Sequence, residues 1–411
     1  MLRYLVFLPS ITLHLVPSEI FPWAVLYSLR SQIRSMSIGF IWSVIVFLSL
    51  LFMSLLNDAS LMAALVSAAS IANAYLISIT VSDASANEIN RLVRTAFRIQ
   101  ILLLVVGALQ LIGVWALLDP ITGMLIPRGG SEYLGAGGRG VSLLDTEPSR
   151  AGVNQLLIYT VWRAVQVTQG NRRYLWLSDL AMLVTIIVLT RSAVACFVAL
   201  FYLGLTNFKP LRLCVSIIVV GVCFYVMALL VTPDDIRIYW LMEQLSVMTS
   251  WGEVAQFLIS QSGFRGVSVI GAYSWSLDNM LGGGFGTWEN TSVLAMEATG
   301  ISASDLNYFR NWANGEYVPL KPTAFMAFIA LEFGLFGVLL SSIWLFSRLK
   351  KMDGFSASAL PTTLTIGFVL FLVGSVGNPV PWVCLALTSK IYSGRMLCRN
   401  EKMADLKEKT S

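Results

Sequence analysis

Residues 323–346 read TAFMAFIALEFGLFGVLLSSIWLF, and this stretch decides the class of fold. Glu332 is its only charged residue. An apolar helix of about 20 residues is long enough to cross the roughly 30 Å of hydrocarbon in a bilayer. A helix also satisfies its own backbone polar groups, which lipid cannot do. The stretch therefore predicts a transmembrane helix.

Similar apolar runs recur at 38–56, 61–81, 99–118 and 211–231. The 411-residue chain is 56% hydrophobic and 12% charged, whereas soluble domains carry about a quarter charged residues. We therefore expect an all-α, polytopic integral membrane bundle with about 12 crossings, within a range of about 11 to 14. The predicted crossings are 2–16, 20–30, 37–56, 61–81, 97–118, 152–167, 174–190, 192–206, 211–231, 323–346, 360–376 and 380–393. The first two and the last two are short, so either pair could form a re-entrant hairpin instead.

The distribution of charge predicts the orientation of the chain. Lysine and arginine collect at the termini and in every second connection, and the intervening connections are mainly acidic. By the positive-inside rule the basic side is cytoplasmic, which puts both termini inside. Residues 1–393 then form a single membrane domain, and residues 394–411 form a basic cytoplasmic tail. The two large outer loops are 119–152 and 232–322.

The loop 232–322 is too long to lack secondary structure of its own. Apolar residues recur at three- and four-residue steps within 238–258, which predicts a helix there. Tryptophan and tyrosine are dense in the same loop. Such side chains suit either the membrane interface or stacking against sugar rings.

Metal and nucleotide chemistry are not indicated by the sequence. The five cysteines show no C-x-x-C spacing, and His14 is the only histidine, so a zinc or disulfide framework is not expected. The glycine run 282–286 has neither a preceding strand pattern nor a following Lys-Ser/Thr, as a phosphate loop requires. We expect no metal, no cofactor and no nucleic-acid partner.

Nearly all basic residues of the predicted outer segments are arginines, among them Arg139, Arg150, Arg265 and Arg310. The planar guanidinium group binds two phosphate oxygens at once and keeps its charge when it is partly desolvated. These residues are therefore candidates for binding a diphosphate. The alternative is that each arginine pairs with one of the many outer carboxylates.

Arg191 interrupts the apolar stretch 175–205 at the point where one predicted crossing turns into the next. A charge in such a hairpin is costly and usually faces a cavity or a charged partner. The alternative is that its long side chain reaches the membrane interface.

Residues 144–152 read LDTEPSRAG and lead into the sixth predicted crossing. Pro148 disfavours a regular helix just before it, which places Glu147 and Arg150 at the outer mouth of the bundle. Glu147 could accept a proton from a sugar hydroxyl, and Arg150 could bind phosphate. The alternative is an acidic helix start without chemistry, since negative charge there is favourable by roughly half a kcal/mol.

Three short stretches resemble elements of the bacterial O-antigen polymerase (Wzy-like) and O-antigen ligase superfamily. The first is Glu147-Pro148-Ser149 ahead of a helix, and the second is Leu189-Thr190-Arg191-Ser192 between two helices. The third is the large outer loop, in which Arg265 precedes the glycine run and the sequence ALEFGLFG follows at 330–337. The resemblance implies a GT-C-like membrane bundle.

The resemblance also implies metal-independent glycosyl transfer at the periplasmic face of the bacterial inner membrane. The donor would be a saccharide on undecaprenyl diphosphate, the acceptor a hydroxyl of another lipid-linked repeat unit, and a separate protein would regulate chain length. Glu147 would be the catalytic base. Arg150 would support Glu147. Arg191 and Arg265 would hold the departing diphosphate, with Arg150, Arg139 and Arg310 as further diphosphate ligands.

Ligases of this superfamily carry a histidine between the large loop and the next helix. Residues 318–323 read VPLKPT and contain none, which favours a polymerase. The alternatives are an O-antigen ligase, or a transporter or flippase of a lipid-linked saccharide. Transporters often show broken helices in two matching halves of the chain, a pattern that this sequence lacks.

Overall fold

The computed structural model describes residues 1–11, 21–35, 60–114, 119–126, 140–171, 173–206, 263–306, 316–351, 356–374 and 376–393, with a few single positions between them. All regular secondary structure in these residues is helical, which confirms the predicted all-α class. Apart from single positions, the predicted crossings 37–56 and 211–231 and the predicted helix 238–258 lie outside the described residues.

The helices are numbered here in chain order. They are α1 (Leu2–Phe7), α2 (Pro22–Ser35), α3 (Leu61–Asp83), α4 (Ala86–Leu111), α5 (Asp119–Leu125), α6 (Pro148–Thr168), α7 (Leu175–Thr190), α8 (Ala193–Thr206), α9 (Gly263–Asp278), α10 (Trp288–Glu297), α11 (Phe325–Lys351), α12 (Leu360–Phe368) and α13 (Val380–Tyr392). A 3₁₀ turn, Ala303–Asp305, follows α10. A π-helical turn, Val369–Val373, continues α12.

Three helices of the described chain are long and apolar enough to cross a membrane, namely α3, α4 and the Phe325–Lys350 part of α11. Shorter apolar helices are α7, α8, α13 and α12 together with its π turn. The chain is thus a helical protein with segments suited to a membrane. The count of about 12 crossings stays a prediction.

Apolar side chains cover the outward faces of the long helices. Ile101, Leu104 and Val105 are exposed on α4, and Leu339 and Ile343 are exposed on α11. A soluble monomer rarely exposes large contiguous apolar patches, whereas lipid accommodates them. These faces therefore agree with a membrane location.

The first predicted crossing, 2–16, is not one helix. Helix α1 has six residues and ends at Phe7, and Leu8 leaves the helical region with φ −122° and ψ 62°. The cause is Pro9, since proline disfavours helical backbone at the residue before it. A helix of this length covers about 9 Å, too little to cross a bilayer. Residues 12–16 of this predicted crossing lie outside the described residues, and its course through the membrane stays a prediction.

Helix α6 lies in the middle of the bundle. It packs against α4, α7, α8 and α13, and every residue from Ala151 to Val161 is buried. A helix that is buried on all faces is held by neighbours on every side. The start of α6 is consequently a fixed point, and the candidate site is built on it.

Side-chain contacts divide the helix ends into two groups. At one end the Arg3 guanidinium donates to Glu88 at 2.8 Å. At the other end of the same helix, α4, Gln110 accepts from the Leu143 N–H at 3.0 Å. The alternation of basic connections places these same two groups on opposite sides of the membrane. Which group faces the cytoplasm stays a prediction.

A buried ion pair joins α6 to α7. Arg163 Nε donates to Asp179 Oδ1 at 2.8 Å, and the Tyr159 hydroxyl donates to the same oxygen at 2.8 Å. Both charged side chains are buried, and the Arg163 guanidinium lies 5.8 Å from the centre of the Tyr202 ring on α8. Each buried charge therefore has a close partner. The pair links α6, α7 and α8.

Helix α11 is interrupted at Gly334, which has φ 64° and ψ −165°. This region of backbone conformation is essentially restricted to glycine. Because of the interruption, two carbonyls of α11 lose the N–H donors that a continuous helix would supply. Residues 281–286, here called the glycine loop, supply the missing donors. Gly283 and Gly284 donate to the carbonyls of Leu331 and Glu332, each at 3.0 Å.

The glycine loop approaches α11 closely because neither backbone carries a Cβ at the contact. A Cβ on Gly334 would overlap the carbonyl oxygen of Met280, and one on Gly282 would overlap the backbone of Gly334. The Phe336 N–H donates to the same Met280 carbonyl at 3.2 Å. The loop thus completes a broken helix, and it follows helix α9 rather than the strand that precedes a phosphate loop.

Helix α9 belongs to the predicted outer loop 232–322 and packs against α10 and α11. Its Tyr273 hydroxyl donates to the Phe371 carbonyl in the π turn at 2.7 Å. Burial raises the pKa of Tyr273, so the hydroxyl remains a neutral donor. This described part of the loop is therefore helical and fixed to the bundle.

Candidate functional site

Glu147 occupies the N-cap position of α6, with extended backbone at φ −152° and ψ 146°. Pro148 follows as the first helical residue, where its missing N–H leaves no helical bond unmade. The Glu147 side chain makes no capping hydrogen bond to the first turn. An acidic helix start therefore does not account for the contacts of this carboxylate.

The partner of Glu147 comes from α9. Arg265 Nη2 forms an ion pair with Glu147 Oε2. Arg265 Nη1 donates to the Ser149 hydroxyl at 2.9 Å. That hydroxyl lies 3.5 Å from the same carboxylate oxygen. The side chains of Arg265 and Glu147 are 38% and 24% exposed, so a ligand can reach them. We call Glu147, Ser149 and Arg265 the Glu147 cluster.

Arg150 does not pair with Glu147 in the structure, although the sequence predicts that it supports this residue. Its ion-pair partner is Asp145, with Arg150 Nε 4.0 Å from Asp145 Oδ1. Leu143 and Leu144 have positive φ values of 53° and 71°. The chain therefore turns sharply just before Asp145, and this turn brings the carboxylate back towards the first turn of α6.

Asp145 begins a chain of buried hydrogen bonds beneath the Glu147 cluster. Its Oδ2 accepts from the Asn154 amide at 2.7 Å, and Asn154 Oδ1 accepts from the Asn378 amide at 2.8 Å. Asn378 Oδ1 in turn accepts from the Val380 N–H at the start of α13, at 3.1 Å. All three polar side chains are buried. The chain therefore fixes the turn before α6 to the start of α13.

Replacing Asn154 with alanine should destabilise the protein by about 2–3 kcal/mol, because a buried acceptor on Asp145 and a buried donor on Asn378 lose their partner. Unfolding of the purified protein in mixed micelles measures the loss. The matched control is Thr160→Val on the same helix, whose hydroxyl donates only to the Leu157 carbonyl of its own helix. If both variants unfold alike, Asn154 does not link the two segments.

Arg191 lies between α7 and α8 in the left-handed backbone region, with φ 47° and ψ 25°. Its neighbours pack against the start of α6. The Val141 N–H donates to the Leu189 carbonyl at 2.7 Å, and a Cβ on Gly152 would touch the Thr190 side chain. The junction therefore lies at the same end of the helices as the Glu147 cluster. The ligand that Arg191 contacts stays a prediction.

Arg139 and Arg310, the two remaining predicted ligands of the diphosphate, lie outside the described residues. Their roles stay predictions.

A second polar cluster lies between α3 and α11. Glu332 is fully buried, and its Oε1 accepts from the Ser67 hydroxyl at 2.6 Å and from the Gly286 N–H at 3.1 Å. Lys321, also buried, donates to the Ser70 hydroxyl at 2.6 Å. The two serines are one turn apart on α3 and so share a face. This cluster ties the end of the glycine loop, through Glu332, and the segment before α11, through Lys321, to the candidate membrane span α3.

Asp145, Asn154 and Asn378 were not predicted from the sequence as part of the site. One available signal was a polar side chain within an otherwise apolar segment, since such a group is buried only with a partner. Asn154 lies in the sixth predicted crossing and Asn378 lies just before the last one. Their pairing joins segments far apart in the chain, and spacing alone does not indicate it.

The Glu147 cluster combines a carboxylate that can accept a proton with a guanidinium that can hold an anion. Within the described ranges, no three His, Cys, Asp or Glu side chains come together as a metal site. The first turn of α6 adds N–H groups and the positive end of the helix dipole. Chemically, the arrangement suits binding of an anionic group beside a hydroxyl that loses its proton.

Comparisons with known proteins identify no family, because no protein-family model, no curated protein and no solved structure matches the chain. The fold and the site thus define a class only: an all-helical protein with apolar helices suited to a membrane and a carboxylate–arginine cluster at one end of them.

Proposed function

We propose that the protein is a polymerase of lipid-linked saccharide repeat units, of the O-antigen polymerase kind, acting at the periplasmic face of the bacterial inner membrane. The observation that carries the proposal is the pairing of Arg265 with Glu147. These residues come from separate outer segments of the predicted topology, and the resemblance assigns them the two central roles. The structural alternative, an outer arginine paired with an outer carboxylate, predicts the same kind of contact. What supports the functional assignment is that both side chains of this pair are partly exposed, so a ligand can reach them.

In the proposed reaction a hydroxyl of the acceptor unit attacks the anomeric carbon of the donor saccharide. The new glycosidic bond forms as the bond from that carbon to undecaprenyl diphosphate breaks. The leaving diphosphate takes the electron pair of the broken bond, and the hydroxyl proton passes to Glu147. Arginine stabilises the charge that develops on the departing diphosphate. Arg265 has this role, with Arg191, Arg150, Arg139 and Arg310 in support.

The proposed location follows from the charge distribution. The Glu147 cluster lies at the end of the helices that the positive-inside rule places opposite the cytoplasm. The lipid-linked donor and acceptor reach it from the outer leaflet, and a separate chain-length regulator is the expected protein partner. No nucleotide sugar or metal takes part in the proposed reaction.

The test is chain extension by the purified protein in detergent, with lipid-linked repeat units as the only saccharide. We expect conversion of single units to longer chains in detergent, because chain extension, unlike transport, does not require a membrane. A strain that lacks the protein should display only single-unit surface saccharide. If chains still form in that strain but none reaches its surface acceptor, the protein is a ligase. If the purified protein extends nothing, the polymerase proposal fails and transport becomes the leading alternative.

A further inference from the structure

The ion pair between Arg265 and Glu147 has a consequence for the order of the reaction. We propose that it is a resting contact that a diphosphate opens, so that Glu147 is released as a base only when the leaving group is in place. The inference rests on the proposed function, because it assigns regulation to the same site.

Arg265 holds one of the two oxygens of the carboxylate that would act as the base. Oε2 is paired with Arg265 and also lies within reach of the Ser149 hydroxyl. A carboxylate oxygen that holds a guanidinium has less electron density to offer a sugar hydroxyl. While Arg265 remains in place, deprotonation of the acceptor is therefore disfavoured.

The packing of the helices allows the pair to open. Arg265 lies on α9, which packs against α10 and α11, whereas Glu147 precedes α6, which packs against α4, α7, α8 and α13. Contacts other than the ion pair therefore hold both segments in place, and the two side chains of the pair are partly exposed. A change of partner at Arg265 requires side-chain movement only.

A diphosphate can compete with the carboxylate for Arg265. It carries more negative charge than a carboxylate and offers several oxygens to the planar guanidinium fork. The positive end of the α6 dipole lies beside the pair and favours the same anion. Binding of the donor therefore moves Arg265 from Glu147 to the leaving group, and the freed carboxylate then accepts the acceptor's proton.

A double-mutant cycle with inorganic pyrophosphate as the probe tests this exchange in the purified full-length protein. Glu147→Gln should bind pyrophosphate about two- to five-fold more tightly than wild type, because a competing ion pair of ordinary strength is removed. Arg265→Gln should weaken binding about ten-fold or more. In the Arg265→Gln background, Glu147→Gln should have no further effect.

Simple charge repulsion between Glu147 and the probe gives a different result. In that case Glu147→Gln tightens binding equally in both backgrounds, and the proposed exchange is overturned. It is also overturned if Glu147→Gln binds no more tightly than wild type.

A second measurement uses the wild-type protein and so does not depend on variants that fold. Pyrophosphate should increase the labelling of Glu147 by a carbodiimide and an amine, as read by mass spectrometry, because the carboxylate loses its partner. Unchanged or reduced labelling contradicts the inference. If the cycle and labelling behave as expected but no saccharide is extended, the polymerase proposal alone fails. If chains are extended without coupling in the cycle, the exchange alone fails.

Discussion

Replacing Arg265 with alanine should slow chain extension by roughly 100- to 1,000-fold, the loss seen when one charge-stabilising donor is removed from an active site. The leaving diphosphate then develops its charge without the guanidinium that pairs with Glu147 in the resting protein. Extension of lipid-linked units by the purified variant measures the rate. Complemented cells should display single-unit saccharide.

The protein should still fold, because both members of the ion pair are partly exposed and such pairs contribute about 1 kcal/mol or less to stability. The matched control is Arg91→Ala, since Arg91 is well exposed and lies 3.9 Å from Glu88 on its own helix. That variant should extend chains at the wild-type rate. If the Arg265→Ala protein folds and still makes long chains, Arg265 has no part in the proposed mechanism.

Replacing Gly334 with alanine should destabilise the fold by about 2–6 kcal/mol, a large part of the total stability of a typical domain. Backbone strain contributes about 1–3 kcal/mol, because φ 64° with ψ −165° is a glycine-only conformation. Overlap of the new Cβ with the Met280 carbonyl contributes about 1–3 kcal/mol more. The yield of folded protein after detergent extraction and its unfolding in mixed micelles measure the effect.

Substitutions at two other glycines serve as controls that distinguish backbone strain from steric overlap of the new Cβ. Gly300 has φ 71° but open space around its Cβ position, and Gly204 lies in α8 with open space as well. Gly300→Ala should cost about 1–2 kcal/mol from strain alone. Gly204→Ala should be neutral or stabilising by up to about 1 kcal/mol, since alanine favours a helix. If Gly334→Ala costs no more than Gly300→Ala, the close contact with the glycine loop is absent.

The glycine loop also bears on the position of Arg265. Helix α9 carries Arg265 near its start and leads into the glycine loop at its end. The loop is held by hydrogen bonds to the interrupted part of α11 and by Glu332, which accepts from Gly286. Helix α9 is therefore fixed to a candidate membrane span, and this fixes where its arginine can reach.

Several features of the site could be predicted from the sequence because they depend on local chemistry. Pro148 marks the start of α6 through its fixed backbone angle, and it thereby places Glu147 just ahead of the helix. Arg265 is one of several outer arginines whose guanidinium suits a phosphate, and the resemblance singles it out among them. Neither argument required knowledge of which segments pack together.

Other features depend on contacts between distant parts of the chain. Arg150 was expected beside Glu147 but pairs with Asp145, because two left-handed residues turn the chain before the helix. By contrast, the end of α1 at Phe7 is a local effect of Pro9, although hydropathy continues beyond it. Hydropathy averages over a window and does not register one backbone position.

The sequence by itself determined that this protein is helical and apolar enough for a membrane, because backbone groups in lipid must be satisfied within each segment. Apolar runs such as 323–346 predict this from their own composition, independently of the rest of the chain. Only the tertiary structure decided that the run breaks at Gly334 and that Arg265 meets Glu147. Both depend on backbone and side chains from separate segments coming within contact distance, and the order of residues along one segment does not encode that distance.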